Sequence, residues 1–311
     1  MNRDKLRSLI TGVIATVPTP FDESYRVDYG RMAEATNHWI ENGVVNGKAV
    51  IKVAAAMGEG PQLSESEWSK LIKTVVETTA GRAQVMAAIH YKDTVRTIED
   101  AKIATDLGAI GLQVSPPIFN QPSETDMLRH FSMISDAIDI GILVYNTHWM
   151  PGGAIYPDTF RKMSDFEQVA AIKWSPPSGT EYEDIFELKD IFNIIDNADR
   201  PADCGRLGGH GFVSDGIAAY PPFYVGTWDM ILEGKYEEAE AQWDAVVRPL
   251  RVLAHKWARI SGGEGSFEKA LQENMGIPMG PPRPPTIPVD AENMKELKQA
   301  MIGWGWPVPN A

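Results

Sequence analysis

Two short apolar stretches, Gly141-Ile-Leu-Val-Tyr145 and Val169-Ala-Ala-Ile-Lys173-Trp174, carry the pattern that decides the fold. Both are apolar over most of their length, with no regular alternation of polar residues. That pattern is typical of strands in a parallel sheet whose two faces are both covered. Parallel neighbours need a crossover of a dozen or more residues, and the segment between the two stretches is long enough to supply one. We therefore interpret both as parallel strands joined by a helix-length connection.

The same alternation extends over the first two thirds of the chain. The other predicted strands are Gly12–Pro18, Ala49–Ala54, Gln84–Ile89, Gly111–Val114, Phe192–Ile195 and Gly211–Val213. The predicted helices among them are Asp28–Glu41, Ser64–Thr79, Thr94–Leu107, Glu124–Ile138 and Tyr182–Lys189. Eight such units in about 225 residues predict an α/β fold, a closed (β/α)8 TIM barrel, whose usual size is about 250 residues. An open doubly wound sheet is less favoured, because no Gly-x-Gly-x-x-Gly turn follows the first strand.

Beyond about Gly226 the chain has no strand pattern. Its predicted helices are Trp228–Glu233, Tyr236–Ala258, Phe267–Met275 and Asp290–Ile302. A proline-rich piece, residues 280–288, predicts an extended connector, because proline fixes φ and lacks a backbone donor. We expect a catalytic barrel of residues 1–225 followed by a C-terminal helical segment of residues 226–311.

Composition limits the partners of the protein. Its 311 residues carry a net charge of -13, which argues against nucleic acid or an anionic membrane. Cys204 is the single cysteine, and the six histidines have no ligand spacing, so we expect neither a disulfide nor a metal site. Because the sequence has no signal-peptide pattern and no apolar run of about 20 residues, we expect a cytoplasmic protein.

Lys173 is the most informative residue, because it interrupts an otherwise apolar strand. A buried ammonium must be paired, reach solvent or lose its proton. A neutral lysine amine is a nucleophile that forms a Schiff base with a carbonyl compound. Tyr145 ends the preceding strand, and its phenol could shuttle the protons that this chemistry requires. If Lys173 points into the barrel, Trp174 should point away, because strand side chains alternate.

Five short motifs extend this interpretation over nearly the whole chain. They are Pro18-Thr-Pro-Phe21-Asp22, Gly58-Glu59-Gly-Pro-Gln-Leu63-Ser64, Val144-Tyr145-Asn146, Ile172-Lys173 and Leu207-Gly-Gly-His-Gly211. In this order the chain resembles the dihydrodipicolinate synthase / N-acetylneuraminate lyase family of Schiff-base aldolases. The resemblance implies a (β/α)8 barrel with C-terminal helices, a homotetramer, a Schiff-base lysine at Lys173 and a proton-shuttling tyrosine at Tyr145.

The positions at which the chain departs from the family pattern are as informative as the motifs that match it. The loop that reads Gly-Thr-Thr-Gly-Glu in the family is Ala55-Ala56-Met57-Gly58-Glu59 here, so both relay hydroxyls are missing. The family's second relay tyrosine, which comes from a neighbouring subunit, maps to Phe119. Its carboxylate-binding arginine maps to Met150. These losses argue against dihydrodipicolinate synthesis itself.

The remaining pocket can still bind a 2-oxo acid. The backbone N–H groups of Ala56 and Met57, with Val213, could hold its carboxylate, since a turn of donors binds anions whatever its side chains are. His90 and His148 are further candidate substrate contacts, although strand-end histidines are often only surface polar groups. With Trp149 they predict an aromatic pocket and an apolar substrate. Glu59 and His210 are expected to be structural.

We therefore expect a class I lyase that acts on a pyruvate-type 2-oxo acid without an external cofactor, in aldol cleavage or condensation with an apolar or aromatic aldehyde. Three alternatives stay open at this point. They are a dehydratase of 2-keto-3-deoxy sugar acids, a dihydrodipicolinate synthase, and a catalytically silent barrel that only binds a 2-oxo acid.

Overall fold

Eight parallel strands close into one barrel in the computed structural model, which describes residues 1–309. Each strand pairs with its neighbours in chain order, and β8 closes the barrel onto β1. The strands are β1 (Gly12–Thr16), β2 (Ala49–Val53), β3 (Gln84–Ile89), β4 (Gly111–Val114), β5 (Gly141–Tyr145), β6 (Val169–Trp174), β7 (Asn193–Asp196) and β8 (Gly211–Ser214). The predicted TIM barrel is confirmed.

The helices connect these strands and continue past the barrel. They are α1 (Arg3–Leu9), α2 (Tyr29–Glu41), α3 (Glu65–Thr79), α4 (Thr94–Asp106), α5 (Glu124–Ala137), α6 (Pro157–Lys162), α7 (Pro201–Arg206), α8 (Pro221–Leu232), α9 (Tyr236–Ala258), α10 (Glu264–Asn274) and α11 (Ala291–Gly303). Within residues 1–309 no helix is both long and apolar enough to span a bilayer.

Several boundaries differ from the sequence-based expectations. The helix predicted from Tyr182 is a 3₁₀ helix, Tyr182–Leu188, and the sequence did not reveal the short helices α1, α6 and α7. Helix α8 begins at Pro221, whose ring suits the first turn of a helix, and not at Trp228. The expected division after residue 225 therefore falls inside α8, and the two-part organisation stays a prediction.

Alternation along each strand sends one set of side chains into the barrel and the other toward the helices. The inner set forms its own apolar cluster, which includes Ile14, Val50, Met86 and Leu143. Trp174 belongs to the outer set: it is buried, and its Nε1–H donates to the carbonyl oxygen of Tyr182 at 2.9 Å. The predicted outward direction of Trp174 is confirmed.

Helix α1 closes the N-terminal end of the barrel. Its Leu6, and Ile10 just after it, join the inner apolar cluster. At Gly111 and Gly141, an added Cβ would lie 2.9 and 2.5 Å from Cδ1 of Ile10. Glycine at these positions therefore lets Ile10 approach the strands closely. The opposite end, where the strands have their carboxyl termini, is the one available to a ligand. This is the end at which TIM barrels carry their active sites.

Candidate active site

Lys173 and Tyr145 meet at the open end of the barrel. They are register partners on adjacent strands β6 and β5. Nζ of Lys173 lies 3.7 Å from the centre of the Tyr145 ring, so the amine is against the ring face. Within residues 1–309 the Tyr145 hydroxyl has no hydrogen-bond partner and is not sealed from solvent. The phenol is therefore free to make a hydrogen bond with another group.

Burial makes Lys173 a better nucleophile. Only 6% of its surface is exposed. Burial lowers the pKa of the amine to about 8, although Asp215 and Glu264 at the barrel mouth act in the opposite direction. Roughly a tenth of the molecules then carry a neutral amine at pH 7, far more than for an ordinary lysine. Burial, followed by the same two carboxylates, raises the pKa of Tyr145, so its phenol is protonated at neutral pH.

His90 follows β3 and faces the same space. Its ring lies edge-on to Tyr145, with centroids 6.4 Å apart. Both ring nitrogens are buried and have no hydrogen-bond partner within residues 1–309. Burial, and then the charges of Lys173 and Lys52, lower the pKa of His90 to about 3. His90 is therefore a neutral imidazole with one donor and one acceptor to offer a ligand.

His148 and Trp149 extend the aromatic surface outward from Tyr145. The Trp149 ring lies 5.5 Å from that of Tyr145 and 5.1 Å from that of His148, in both cases near perpendicular. Nε2 of His148 lies 3.1 Å from the Ser175 hydroxyl, which fixes the ring. Trp149 is 51% exposed, so it lines the outer part of the site.

The turn after β2 supplies backbone donors. The N–H groups of Ala56 and Met57 donate to no group of residues 1–309. The turn is held from below, where Gly60 donates to the Ala55 carbonyl at 2.9 Å. A Cβ at Gly60 would lie 1.8 Å from the carbonyl oxygen of Ala54, so only glycine allows this tight loop. Val213 lies in the inner apolar cluster on β8.

Phe119 is a predicted site residue that is exposed to solvent in the single chain. It lies in the short 3₁₀ turn Ile118–Asn120 with 90% of its surface exposed. Within the described residues its ring packs against none of the aromatic rings around Tyr145. Its role as a substrate contact therefore stays a prediction that needs a neighbouring subunit.

Comparison with known proteins assigns the chain to a family. Residues 9–302 match the dihydrodipicolinate synthetase family. The chain belongs to this family. It thereby belongs to a group of class I lyases that form a lysine Schiff base with pyruvate.

Individual relatives agree in length and in fold. A 4-hydroxy-tetrahydrodipicolinate synthase from Methanococcus maripaludis is 27% identical over 94% of this chain and 98% of its own. One from Heliobacterium modesticaldum is 32% identical over 65% and 67%. The structure of the 4-hydroxy-tetrahydrodipicolinate synthase from Methylacidiphilum fumariolicum superposes with a TM-score of 0.83, at 25% identity, over 95% of this chain and 96% of that one.

Glu59, in the motif Gly58-Glu59 shared with the family, is structural, as expected. Its carboxylate pairs with the buried Lys269 of α10 at 2.5 Å and accepts from the Arg283 N–H at 2.9 Å. These contacts tie the turn after β2 to the C-terminal helices and to the proline-rich connector. The C-terminal segment therefore holds the turn after β2 in place.

Sequence reasoning missed an inner lysine and a charged rim. Lys52 on β2 is fully buried inside the barrel and donates to Oε1 of Gln113 at 2.7 Å. At the mouth, Arg251 pairs with Asp215 at 3.0 Å. A cavity of about 190 Å³ lies beside Met57, Asp215, Arg251 and Glu264. The signal for Lys52 was present, since it interrupts an apolar strand as Lys173 does, whereas the rim residues come from distant parts of the chain.

Proposed function

We propose that the protein forms a Schiff base between Lys173 and a pyruvate-type 2-oxo acid, and that it cleaves or forms the carbon–carbon bond to an aldehyde. The single observation that carries this proposal is the unpaired, buried amine of Lys173 against the ring of Tyr145. A desolvated lysine with a lowered pKa beside a phenol is an arrangement that suits imine formation.

The proposed reaction begins with imine formation. Nζ attacks the 2-keto carbon to give a carbinolamine, which loses water to give an iminium. The iminium accepts the electron pair of the breaking carbon–carbon bond, so an aldehyde leaves and an enamine remains. Protonation of the enamine and hydrolysis then return pyruvate and the free lysine. No external cofactor is needed, because the iminium is the electron sink.

Tyr145 would move the protons in these steps. Its raised pKa keeps the phenol protonated at neutral pH, so it can first donate to the departing water. The aldol hydroxyl of the substrate must lose a proton as the bond breaks, and the phenolate left behind can take it. The free hydroxyl of Tyr145 supports this cycle, because no other group among residues 1–309 bonds to it.

The carboxylate of the substrate would bind the turn after β2. The unpaired N–H groups of Ala56 and Met57 are donors of the kind that hold carboxylates without a cationic side chain. Because the turn is anchored through Glu59 to Lys269, these donors are fixed before the substrate arrives.

The aromatic surface supports an apolar or aromatic aldehyde partner. Tyr145, Trp149 and His148 form a continuous series of edge-to-face rings that runs outward from Lys173. Met150, at the position of the family's arginine, offers no charge to a second carboxylate. The names of the relatives favour a second candidate, 4-hydroxy-tetrahydrodipicolinate synthesis. The missing arginine and threonine hydroxyls speak against it.

A homotetramer, as the family resemblance implies, would give Phe119 a place. Phe119 is 90% exposed and is therefore available to a neighbouring subunit. Sedimentation of wild type and Phe119→Ser tests this proposal. A wild type that sediments as a monomer contradicts it.

Reductive trapping tests the proposed chemistry. We expect pyruvate and borohydride to add one reduced pyruvyl group per chain, and peptide mapping to locate it on Lys173. Lys173→Ala should remove the adduct, whereas Lys189→Ala, at an outer lysine, should not. Labelling at another residue, or none with a panel of 2-oxo acids, would contradict the Schiff-base mechanism and favour a silent binding barrel.

A further inference from the structure

The buried Lys52 has no role in the reaction described above. It comes from β2, which faces β6 across the closed barrel. Its side chain is fully buried, and among the described residues its one hydrogen-bond partner is the neutral amide oxygen of Gln113 at 2.7 Å. Within residues 1–309 no carboxylate forms an ion pair with it. An ammonium in this place would be buried without a counter-ion, which is strongly unfavourable.

Lys173 shares the same interior and also has no ion pair within the described residues. Two ammonium groups inside one water-poor barrel repel each other as well as losing their hydration. The charged or titratable groups that face the two amines are His90, Tyr145, Asp215, Arg251 and Glu264. The two carboxylates at the mouth favour the charged form of both amines, but burial outweighs them at each one.

We propose that Lys52 and Lys173 act as a coupled pair that holds one proton at neutral pH, and that Lys52 accepts the proton which Lys173 must lose to become the nucleophile. This inference rests on the proposed function. In the exchange, one N–H bond of the Lys173 ammonium breaks and one N–H bond forms on the lone pair of Lys52. The pair keeps a charge of one, and no other reactant is consumed.

The environments of the two amines agree with this pairing. Burial, and then the charge of Lys173, lower the pKa of Lys52 well below its ordinary value. Asp215 and Glu264 favour the charged form of Lys173, whose pKa of about 8 makes it the holder of the proton in the major form. The minor form has the proton on Lys52 and a neutral, reactive Lys173. Lys52 acts on the charge of Lys173 and does not touch the substrate, so it is a positioning residue.

The pair has a kinetic signature. For a single lysine, the neutral fraction falls tenfold for each pH unit below its pKa. The rate of imine formation falls by the same factor. In a pair that shares one proton, the fraction of molecules with protonated Lys52 and neutral Lys173 does not change with pH. The rate therefore levels off in acid and does not continue to fall until the second proton binds.

Trapping of pyruvate with cyanoborohydride between pH 5 and 9 tests this signature. Wild type should level off on the acid side, whereas Lys52→Met should fall tenfold per pH unit. Lys52→Gln keeps a donor for Gln113 but cannot titrate, and it should behave as Lys52→Met does. Identical profiles for all three proteins would overturn the proposal. A level profile in Lys52→Gln as well as in wild type would show that only the hydrogen bond matters, and would overturn it too.

Titration of the free protein gives a readout independent of activity. Lysines labelled with ¹³C at Cε report their charge by NMR, and the signal missing from Lys52→Met identifies Lys52. We expect Lys52 to be neutral at pH 7 in wild type and Lys173 to be largely charged. Two charged signals at pH 7 overturn the pair even if pyruvate is trapped. If the two lysines titrate as expected but no 2-oxo acid is trapped, the coupled pair is supported and the proposed function is overturned.

Discussion

The Nζ atom of Lys173 lies 3.7 Å from the centre of the Tyr145 ring, and the two residues are paired in register on β6 and β5. The pairing fixes both side chains on the inner face of the barrel, because neighbours in register on parallel strands point the same way. Rigid strands, and not loops, therefore set the distance between the amine of Lys173 and the ring of Tyr145. Such a site needs little reorganisation when the substrate binds.

Replacing Lys173 by methionine should stabilise the protein. The buried amine has a pKa of about 8 in the folded state, well below that of an unfolded lysine, so folding is opposed wherever the unfolded chain binds the extra proton. The free energy that this shift costs the folded state has its full value below pH 8, and it decreases as the pH rises toward the ordinary lysine pKa. We expect Lys173→Met to raise the free energy of unfolding by up to about 3 kcal/mol at pH 7 and by little at pH 10. Urea denaturation at both pH values measures it, and a loss of stability at pH 7 contradicts it.

The rate of imine formation should rise with pH and become half-maximal near pH 8. Only the neutral amine attacks the carbonyl carbon, and burial lowers the pKa of Lys173 to about 8. Stopped-flow measurement of pyruvate binding in a range of buffers gives the midpoint. A midpoint above pH 10 would mean that the amine is solvated and ordinary.

Tyr145→Phe should lower turnover by about 10²–10⁴-fold, the usual loss when one proton-transfer group is removed. Affinity for the 2-oxo acid should change little, because the ring face that packs on Lys173 remains. Tyr91→Phe is the matched control, since Tyr91 packs 5.4 Å from His90 but does not contact Lys173. If Tyr145→Phe turns over within a few-fold of wild type, the shuttle is another group, and His148 is the next candidate.

Glu59→Gln should weaken both the fold and the binding of pyruvate. It leaves the buried Lys269 without its counter-ion, a change that typically costs about 3–5 kcal/mol. The double variant Glu59→Gln/Lys269→Met should recover much of that stability, because no unpaired charge remains. The KM for pyruvate should stay raised in both, since the turn at Ala56 has lost its anchor. Equal stability of the single and double variants would contradict the expected cost of the unpaired charge, and a KM equal to that of the wild type would show that the pair does not hold the turn.

The sequence predicts the barrel because the strands are buried on both faces, so most of their consecutive residues are apolar. It also places Lys173 and Tyr145 on adjacent strands, because their positions at the strand ends can be counted. The contact between Glu59 and Lys269 could not be predicted, since it joins residues far apart in the chain through the packing of α10. Short helices such as α1 also leave too few turns for a recognisable period. The substrate contacts named from the sequence stay predictions.

The substrate range is the sharpest test of the altered pocket. If Ala56 and Met57 replace the relay hydroxyls, and Met150 the arginine, the pocket cannot pair a second carboxylate or several hydroxyls. Unpaired polar groups in a buried site cost several kcal/mol, which amounts to orders of magnitude in specificity. Aspartate semialdehyde and sialic acid should therefore be poor substrates, and aldol adducts of pyruvate with aromatic aldehydes should be better. A comparison of kcat/KM for each compound on one enzyme preparation measures this preference. Met150→Arg should raise kcat/KM for aspartate semialdehyde relative to the aromatic adducts. Efficient turnover of aspartate semialdehyde by the wild type would mean that the chain is a dihydrodipicolinate synthase after all.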